Sequence, residues 1–369
     1  MAYNMTLPYS QELNIKYLQR LFDNMSECYK PFWFQAIIDK VAEGKQVLSY
    51  EELIDDMIAD AWYMVLEYKL NLGPADTLEV LVLDAQKVTG LKSSEKKEKI
   101  ISAIQSTSDR NLQRKKNTLT LNVPYRLQAP FLHQLKGKSW NCPLSELAAR
   151  IDEHEGIIYR FITINGLNSL IRIAPEWITY IRSNYEILCG WIQYNLIQYL
   201  QRRNPSVPGI PNKLKPPQER KLTKVQNLWK SIIEIEPMHE IYESSQITPK
   251  DMSIDHFVPW SYVAHDELWN LSPTTKSINS QKSNRLPEWD IYFPALRALQ
   301  YHAYDIAWKY PQVHKEFDKC IKEHVNNSDV LHKLYRPEIT ESEFYYNLEE
   351  IIHPVYVAAQ NTGFESWKL

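Results

Sequence analysis

Hydrophobic spacing predicts helices through the first hundred residues. Apolar residues recur at three- and four-residue intervals in the segments 29–42, 50–70, 75–89 and 93–106. This is the period of an amphipathic helix. The polar run DRNLQRKKN at 109–117 interrupts the pattern. We therefore predict a helical N-terminal module over residues 1–110, with Trp33, Phe34 and Trp62 in its core.

The middle of the chain has a mixed pattern. Residues 143–156 have helical spacing, and Asn165-Gly166 separates two β-rich runs, which predicts a β-hairpin near 157–173. Pro175 is suited to the first position of a long helix that follows. Prolines then crowd 204–217 and exclude a helix there. We interpret 111–235 as a second module, and 291–369 as helices that pack on the scaffold.

Composition excludes several protein classes. The chain has 369 residues but only 9 glycines, and neither GxGxxG nor GxxxxGK[ST] occurs, so neither a Rossmann site nor a P-loop is present. The hydrophobic content of 44% is enough for a large core. The four cysteines are scattered without a CxxC, which argues against a disulfide scaffold or a zinc ribbon. With no signal peptide and no long apolar run, we expect a cytoplasmic protein without membrane contact.

Charge is distributed unevenly along the chain. The net charge is −3, yet residues 202–230 contain eight basic residues and one acid, a net charge of +7 that leaves −10 for the rest. This basic, proline-rich strap is either a solvated linker or a contact for nucleic-acid phosphates. The candidate nucleic-acid-binding residues are Lys213, Lys215, Arg220, Lys221, Lys224 and, further along, Arg285.

The segment 251–287 contains the residues that point to chemistry. Asp255 and His256 end a short apolar run, and Asn270 opens a second one after an irregular loop. Asn279 and Lys282 are three residues apart and share a face of a short predicted helix. Carboxylate and amide oxygens suit Mg²⁺, and a neutral histidine suits the activation of a water. These residues form a plausible single-metal phosphodiesterase site.

This segment resembles the HNH endonucleases, which carry a ββα-metal unit. The resemblance covers Asp255, His256, Pro259, Asn270, Leu271, Asn279 and Lys282. It implies that Asp255 and Asn279 are metal ligands, that His256 is the general base, and that Asn270 braces the loop that positions His256. Lys282 would touch phosphate or help to hold the site. Asn279 stands where many members have histidine. In having asparagine at this position, the segment resembles the HNH domain of RNA-guided CRISPR nucleases.

The resemblance leads to a mainly α fold with a small α+β insert, in which a helical scaffold carries an HNH unit at 236–290. Without a zinc ribbon, the unit needs support from packing, for which Trp260, Trp269 and Trp289 are candidates. The implied function is an endonuclease that hydrolyses DNA with Mg²⁺ or Mn²⁺, in bacterial phage defence or restriction. An activating protein or a second copy of the chain would be its other partner.

Two alternatives stay open at this point. The large helical remainder also suits a nucleic-acid-binding or regulatory protein that docks a partner and carries an inactive HNH unit. RNA is a third option as substrate, although no RNA-binding motif supports it.

Overall fold

The computed structural model describes residues 6–135, 137–216 and 221–369. Two compact units make up the chain: Met1–Pro205 with Leu214–Pro216, and Ser206–Lys213 with Pro217–Leu369. The finer division into four modules at residues 110, 235 and 290 stays a prediction. No helix among the described residues is both long enough and apolar enough to span a bilayer.

The first unit, which we call the N-terminal unit, is mostly helical. Its helices are α1 (Ile15–Leu18), α2 (Tyr29–Ala42), α3 (Tyr50–Leu66), α4 (Thr77–Thr89), α5 (Lys97–Ser106), α6 (Arg110–Leu119), α7 (Val123–Arg126), α8 (Leu144–Asp152), α9 (Pro175–Ser183) and α10 (Tyr185–Arg203). Its strands are β1 (Val47–Ser49), β2 (Tyr159–Thr163) and β3 (Leu170–Ile173). Trp33, Phe34 and Trp62 are buried in its core, as predicted.

The predicted hairpin is confirmed and belongs to a larger sheet. β2 and β3 pair antiparallel, with Tyr159 opposite Ile173. β1 pairs antiparallel with the other edge of β3, so the strand order is β1-β3-β2. β1 has only three residues, too few for a period-two pattern to reveal it in the sequence.

Two local predictions in this unit are wrong. The polar run at 109–117 is not a break but most of α6, capped by the side chain of Asp109. Its Lys116 is buried, 2.7 Å from the buried carboxylate of Asp55, so a polar side chain here faces the core. The long helix after Pro175 is interrupted at Asn184, which has the non-helical angles φ −124° and ψ 20°.

The second unit, the C-terminal unit, surrounds a two-stranded ribbon with helices. Its helices are α11 (Thr223–Ile235), α12 (Trp260–Val263), α13 (Lys276–Lys282), α14 (Trp289–Lys309), α15 (Pro311–His324), α16 (Ser328–Leu334) and α17 (Glu341–Asn361). Its strands are β4 (Met252–His256), β5 (Leu271–Thr275), β6 (Leu286–Pro287) and β7 (Ser366–Trp367). The mainly α class with a small α+β insert is therefore confirmed.

Packing against helices supports the two-stranded ribbon of β4 and β5. The buried side chain of Gln300 on α14 donates its amide to the carbonyl of Leu271 on β5 at 2.7 Å. Phe257, directly after β4, lies 6.1 Å from the ring of Trp289 and 6.3 Å from that of Tyr356. Helices α14 and α17 thus hold the end of β4 in place.

Helix α3 begins with a reciprocal cap that should stabilise the N-terminal unit. The Ser49 hydroxyl accepts from the Glu52 backbone N–H at 3.2 Å, and the Glu52 carboxylate accepts from the Ser49 N–H at 2.7 Å. We expect Ser49→Ala to lower the free energy of unfolding by about 1 kcal/mol, measured by urea denaturation. Ser94→Ala, at an exposed position that caps no helix, is the control. Equal stability of both variants would contradict the assignment.

Candidate active site

β4 and β5 bring the sequence-predicted residues to one end of the ribbon. Asp255 lies opposite Ser272, and His256 lies opposite Leu271 in this antiparallel pair. Helix α13 follows β5 directly, and Thr275 caps its start through its side chain. The strand-loop-strand-helix order is that of the predicted ββα unit.

A buried ion pair joins β4 to α13. The ammonium of Lys282 lies 3.0 Å from Asp255 Oδ1 and donates to the His256 carbonyl at 2.6 Å. Lys282 is 1% exposed and Asp255 is 3% exposed. Burial lowers the pKa of Lys282, and the neighbouring carboxylate partly offsets this. At this exposure, Lys282 is better placed to hold the site than to touch phosphate.

The second oxygen of Asp255 is held by a tyrosine that the sequence reasoning missed. The Tyr242 hydroxyl donates to Asp255 Oδ2 at 2.5 Å, and burial followed by this carboxylate raises the pKa of Tyr242 well above its usual value. The buried Glu240 carboxylate accepts from the backbone N–H groups of Tyr242, Glu243 and Ser245 at 2.7–3.2 Å. Glu240 thus shapes the loop that presents Tyr242.

Asn270 makes a two-way clamp on the loop after His256. Its Oδ1 accepts from the Val258 N–H at 2.8 Å, and its Nδ2 donates to the Val258 carbonyl at 2.8 Å. The Asn270 carbonyl also accepts from the Phe257 N–H at 2.9 Å. This is the geometry that the predicted bracing role requires.

His256 is oriented by Asp266, a second residue that the sequence reasoning did not assign. The imidazole Nε2 lies 2.8 Å from Asp266 Oδ1. A carboxylate acceptor favours the tautomer with the proton on Nε2, which leaves Nδ1 as the basic nitrogen. The loop around Asp266 is anchored in turn, because its carbonyl accepts from His324 at 2.8 Å and the Glu267 carboxylate accepts from Asn326 at 2.8 Å.

Asn279 on α13 contacts β4 just before Asp255. Its Nδ2 donates to the Ser253 hydroxyl at 2.7 Å and to the Ile254 carbonyl at 3.2 Å. Because the amide nitrogen is used in this way, the amide oxygen is the atom left for a ligand. Asn279 therefore offers the hard donor that the sequence predicted.

The donor set fits a hydrated hard cation. Each Asp255 oxygen accepts one hydrogen bond from the protein and has a second lone-pair direction for a cation or its water. Across the described parts of the chain, no three His, Cys, Asp or Glu side chains cluster as a metal site. One carboxylate and one amide oxygen, with water as the other ligands, are an Mg²⁺-type set. The ligand roles of Asp255 and Asn279 stay predictions.

The predicted nucleic-acid contacts are scattered. Lys215 and Lys221 are exposed. Lys224 forms an ion pair with Glu323. Arg285 is half-buried and donates to the carbonyls of Gln281 and Lys282, where it caps the end of α13. Arg220 lies outside the described residues.

Lys213 is placed unsuitably for phosphate contact. It is fully buried, its ammonium donates to the Tyr262 carbonyl and lies 5.3 Å from the Tyr262 ring, and burial lowers its pKa to about 7. An apolar environment without a carboxylate explains the low pKa. Lys213 was predicted to reach nucleic-acid phosphates, whereas it ends the short 3₁₀ helix Ile210–Lys213, in which its side chain is buried.

Tyr242 and Asp266 were missed for different reasons. Tyr242 precedes the Asp-His pair by 13 residues, and only the loop shaped by Glu240 brings it to Asp255. Asp266 stands in the loop that follows the Asp-His pair, next to another histidine, and no spacing rule singles it out. The signal that the sequence offered for Asp266 was its place ten residues after His256, where a carboxylate can reach the candidate general base.

Comparison with known families agrees with this geometry. Residues 239–288 match the family described as HNH endonuclease. This segment is an HNH unit. The match begins at the loop that carries Tyr242 and ends after α13, so it contains Asp255, His256, Asn270, Asn279 and Lys282. The comparison with curated proteins found no match, and the comparison with solved structures found none.

The match over residues 239–288 supports a nuclease-type unit, and nucleic acid is the substrate class that an HNH endonuclease unit implies. Nucleases of this family typically use divalent metal ions. The individual roles of the site residues, and the identity of the metal, are not shown by this match.

The Asn270 clamp should be important for the stability of the HNH unit. Asn270→Ala leaves the N–H and carbonyl of the buried Val258 without partners, and each unpaired buried group is costly. We expect the free energy of unfolding to fall by about 3 kcal/mol in urea denaturation. Asn361→Ala, at an exposed position near the end of α17, should change it little. A loss no larger than that of the control would contradict the clamp.

Lys213 should make stability pH-dependent. Its folded pKa of about 7 lies below the ordinary 10.5, so the unfolded state binds more protons between these values and stability should rise with pH there. Lys213→Met removes this dependence. We expect the urea midpoint of the wild type to rise relative to that of the variant between about pH 7.5 and about pH 10. Lys221→Met, at an exposed site, should show no such shift, and a flat difference for Lys213→Met would refute the assignment.

Proposed function

We propose that the protein is a metal-dependent HNH endonuclease that hydrolyses DNA phosphodiester bonds. The observation that carries the proposal is that Asp255 and His256 stand next to each other at the end of β4, and that Asn279 hydrogen-bonds the same strand at Ser253 and Ile254, in a segment that matches the HNH endonucleases. Buried contacts to Lys282, Tyr242 and Asn270 hold this end in one geometry. Such pre-organisation is what an active site needs.

In the proposed reaction, a water oxygen attacks phosphorus and the bond from phosphorus to the 3′ oxygen breaks. The products are a 5′ phosphate and a 3′ hydroxyl, whose oxygen takes its proton from solvent. His256 accepts the proton of the attacking water, and Asp266 stabilises the imidazolium that results. Asp255 and the amide oxygen of Asn279 would hold Mg²⁺ or Mn²⁺, which supplies positive charge to the phosphate when bound. Lys282 keeps Asp255 aligned with the His256 backbone.

A role in bacterial phage defence or restriction, a cytoplasmic location, and an activating partner or second copy stay predictions from the resemblance. The alternative is a nucleic-acid-binding or regulatory protein with an inactive HNH unit. The intact set of site residues favours the enzyme, because each position that the HNH resemblance calls for is filled, and because Asp266 orients His256 while Ser253 orients Asn279.

Cleavage of supercoiled plasmid tests the proposal. With Mg²⁺ or Mn²⁺ we expect nicked or linear DNA, and with EDTA none. His256→Ala should slow cleavage by about two to four orders of magnitude because it removes the general base. His332→Ala, an exposed histidine of α16, is the matched control and should cleave at the wild-type rate.

Two outcomes would contradict the proposal. Undiminished cleavage by His256→Ala would remove His256 from the chemistry. A wild-type protein that binds plasmid but cleaves it with neither metal would favour the alternative. A single-stranded RNA in a parallel reaction decides between the two substrates.

A further inference from the structure

Two adjoining cavities in the N-terminal unit are lined by cations. Their volumes are about 730 and 630 Å³, and the loop at 23–26 lines both. The cations are Arg20, Lys30, Arg126, Arg202 and Arg203, which we call the basic groove. Of the acids that line the cavities, Asp23 lines both and Glu27 lines only the first.

Most of these cations have no carboxylate partner among the described residues. Arg20 is paired with Asp23 at 3.3 Å. Lys30 donates to the Asn24 carbonyl at 3.3 Å, and Arg203 donates to the Ser26 carbonyl at 2.6 Å. Since backbone carbonyls carry only a partial charge, they do not neutralise an ammonium or a guanidinium.

The remaining two cations have even fewer polar contacts. The Arg126 guanidinium lies 4.4 Å from the Trp140 ring, and Arg202 is exposed. The second acid is Glu27. Its Oε2 is buried against Gly73, so close that the residue at position 73 has no room for a Cβ atom. The charge of the groove is therefore left for a ligand.

Neighbouring cations in the groove repel one another. The pKa of Lys30 is lowered, first by burial and then by the charge of Arg126, and Asp23 offsets only part of this. Like charges held together destabilise the free protein, and an anion that binds between them removes the repulsion. The groove is thus better suited to an anion than to an empty state.

The arrangement indicates which anion. Guanidinium groups present a fork of donors that matches phosphate oxygens, and four of the five cations are arginines at exposed or half-exposed positions of the groove. Together the two cavities are larger than a site for one small ligand. A chain of phosphates can contact several cations at once, whereas a single phosphate cannot.

We propose that the basic groove binds the sugar-phosphate backbone of nucleic acid, as a contact separate from the HNH unit. The proposal rests on the proposed function only in that both take nucleic acid as ligand. Contacts of this kind carry no base specificity, so the groove adds affinity and register rather than sequence preference.

Binding is tested in the His256→Ala variant of the whole chain, so that the measurement does not depend on cleavage. The groove variant replaces Lys30, Arg126 and Arg202 with glutamine and leaves Arg203, which anchors the 23–26 loop. The matched control replaces Lys45, Lys99 and Arg150 with glutamine, because these exposed or half-exposed cations of the same unit lie outside the groove. Both variants lose the same charge. Circular dichroism and thermal melts establish that both are folded.

We expect the groove variant to bind a fluorescent DNA duplex at least about tenfold more weakly than the control variant. The slope of log affinity against log salt should be shallower by about two to three, near one for each phosphate that the variant no longer neutralises. Equal affinity and equal slope in the two variants would overturn the proposal.

A competition experiment separates a nucleic-acid backbone from a small phosphate ligand. A mononucleotide at the same phosphate concentration should displace the duplex far less well than unlabelled duplex does. Equal displacement that disappears in the groove variant would overturn the proposal in favour of a nucleotide site. Plasmid cleavage by the wild type is scored separately, so a failed groove and an inactive HNH unit give different results.

Discussion

The buried ion pair between Asp255 and Lys282 is the constraint on which the candidate site depends. Burial of a carboxylate at 3% exposure is costly unless a partner compensates for the missing hydration. Lys282 supplies that partner from α13 and bonds the His256 carbonyl at the same time. One side chain therefore fixes the strand, the helix and the position of the candidate base. Tyr242 completes the set on the other carboxylate oxygen.

This constraint explains why the HNH unit is embedded in helices. A ribbon of two five-residue strands buries too little apolar surface to be stable alone. Gln300 secures β5 from α14, and His324 and Asn326 secure the loop that presents Asp266. The aromatic cluster around Phe257 closes the end of β4. Packing from the C-terminal helices thus takes the place that a zinc ribbon has in other nucleases of this kind.

The distribution of charge differs from what the linear sequence implied. The strap at 202–230 is a cluster of cations in the sequence, but those of its cations that the structure describes have different environments. Lys213 is buried, Lys224 is paired, and Lys221 is exposed. Arg202 and Arg203 instead line a groove together with Lys30 and Arg126, which are distant in sequence. Charge summed along a chain therefore predicts a binding surface poorly, because the direction of each side chain decides whether its charge reaches solvent.

The sequence by itself determined the helical class, the hairpin at β2 and β3, and the HNH unit, whereas the roles of the five candidate site residues in that unit stay predictions. These features depend on local periodicity and on a motif with short spacings, both of which are readable without a fold. Only the tertiary structure decided that Tyr242 and Asp266 join the site, that α6 is a helix, and that Lys213 is buried. The contacts of Lys116 with Asp55 and of Lys213 with Tyr262 join segments that are distant in sequence, and those of Tyr242 and Asp266 join loops to β4. The energy that matters there is the cost of burying a polar group, which is set by its neighbours in space rather than in sequence.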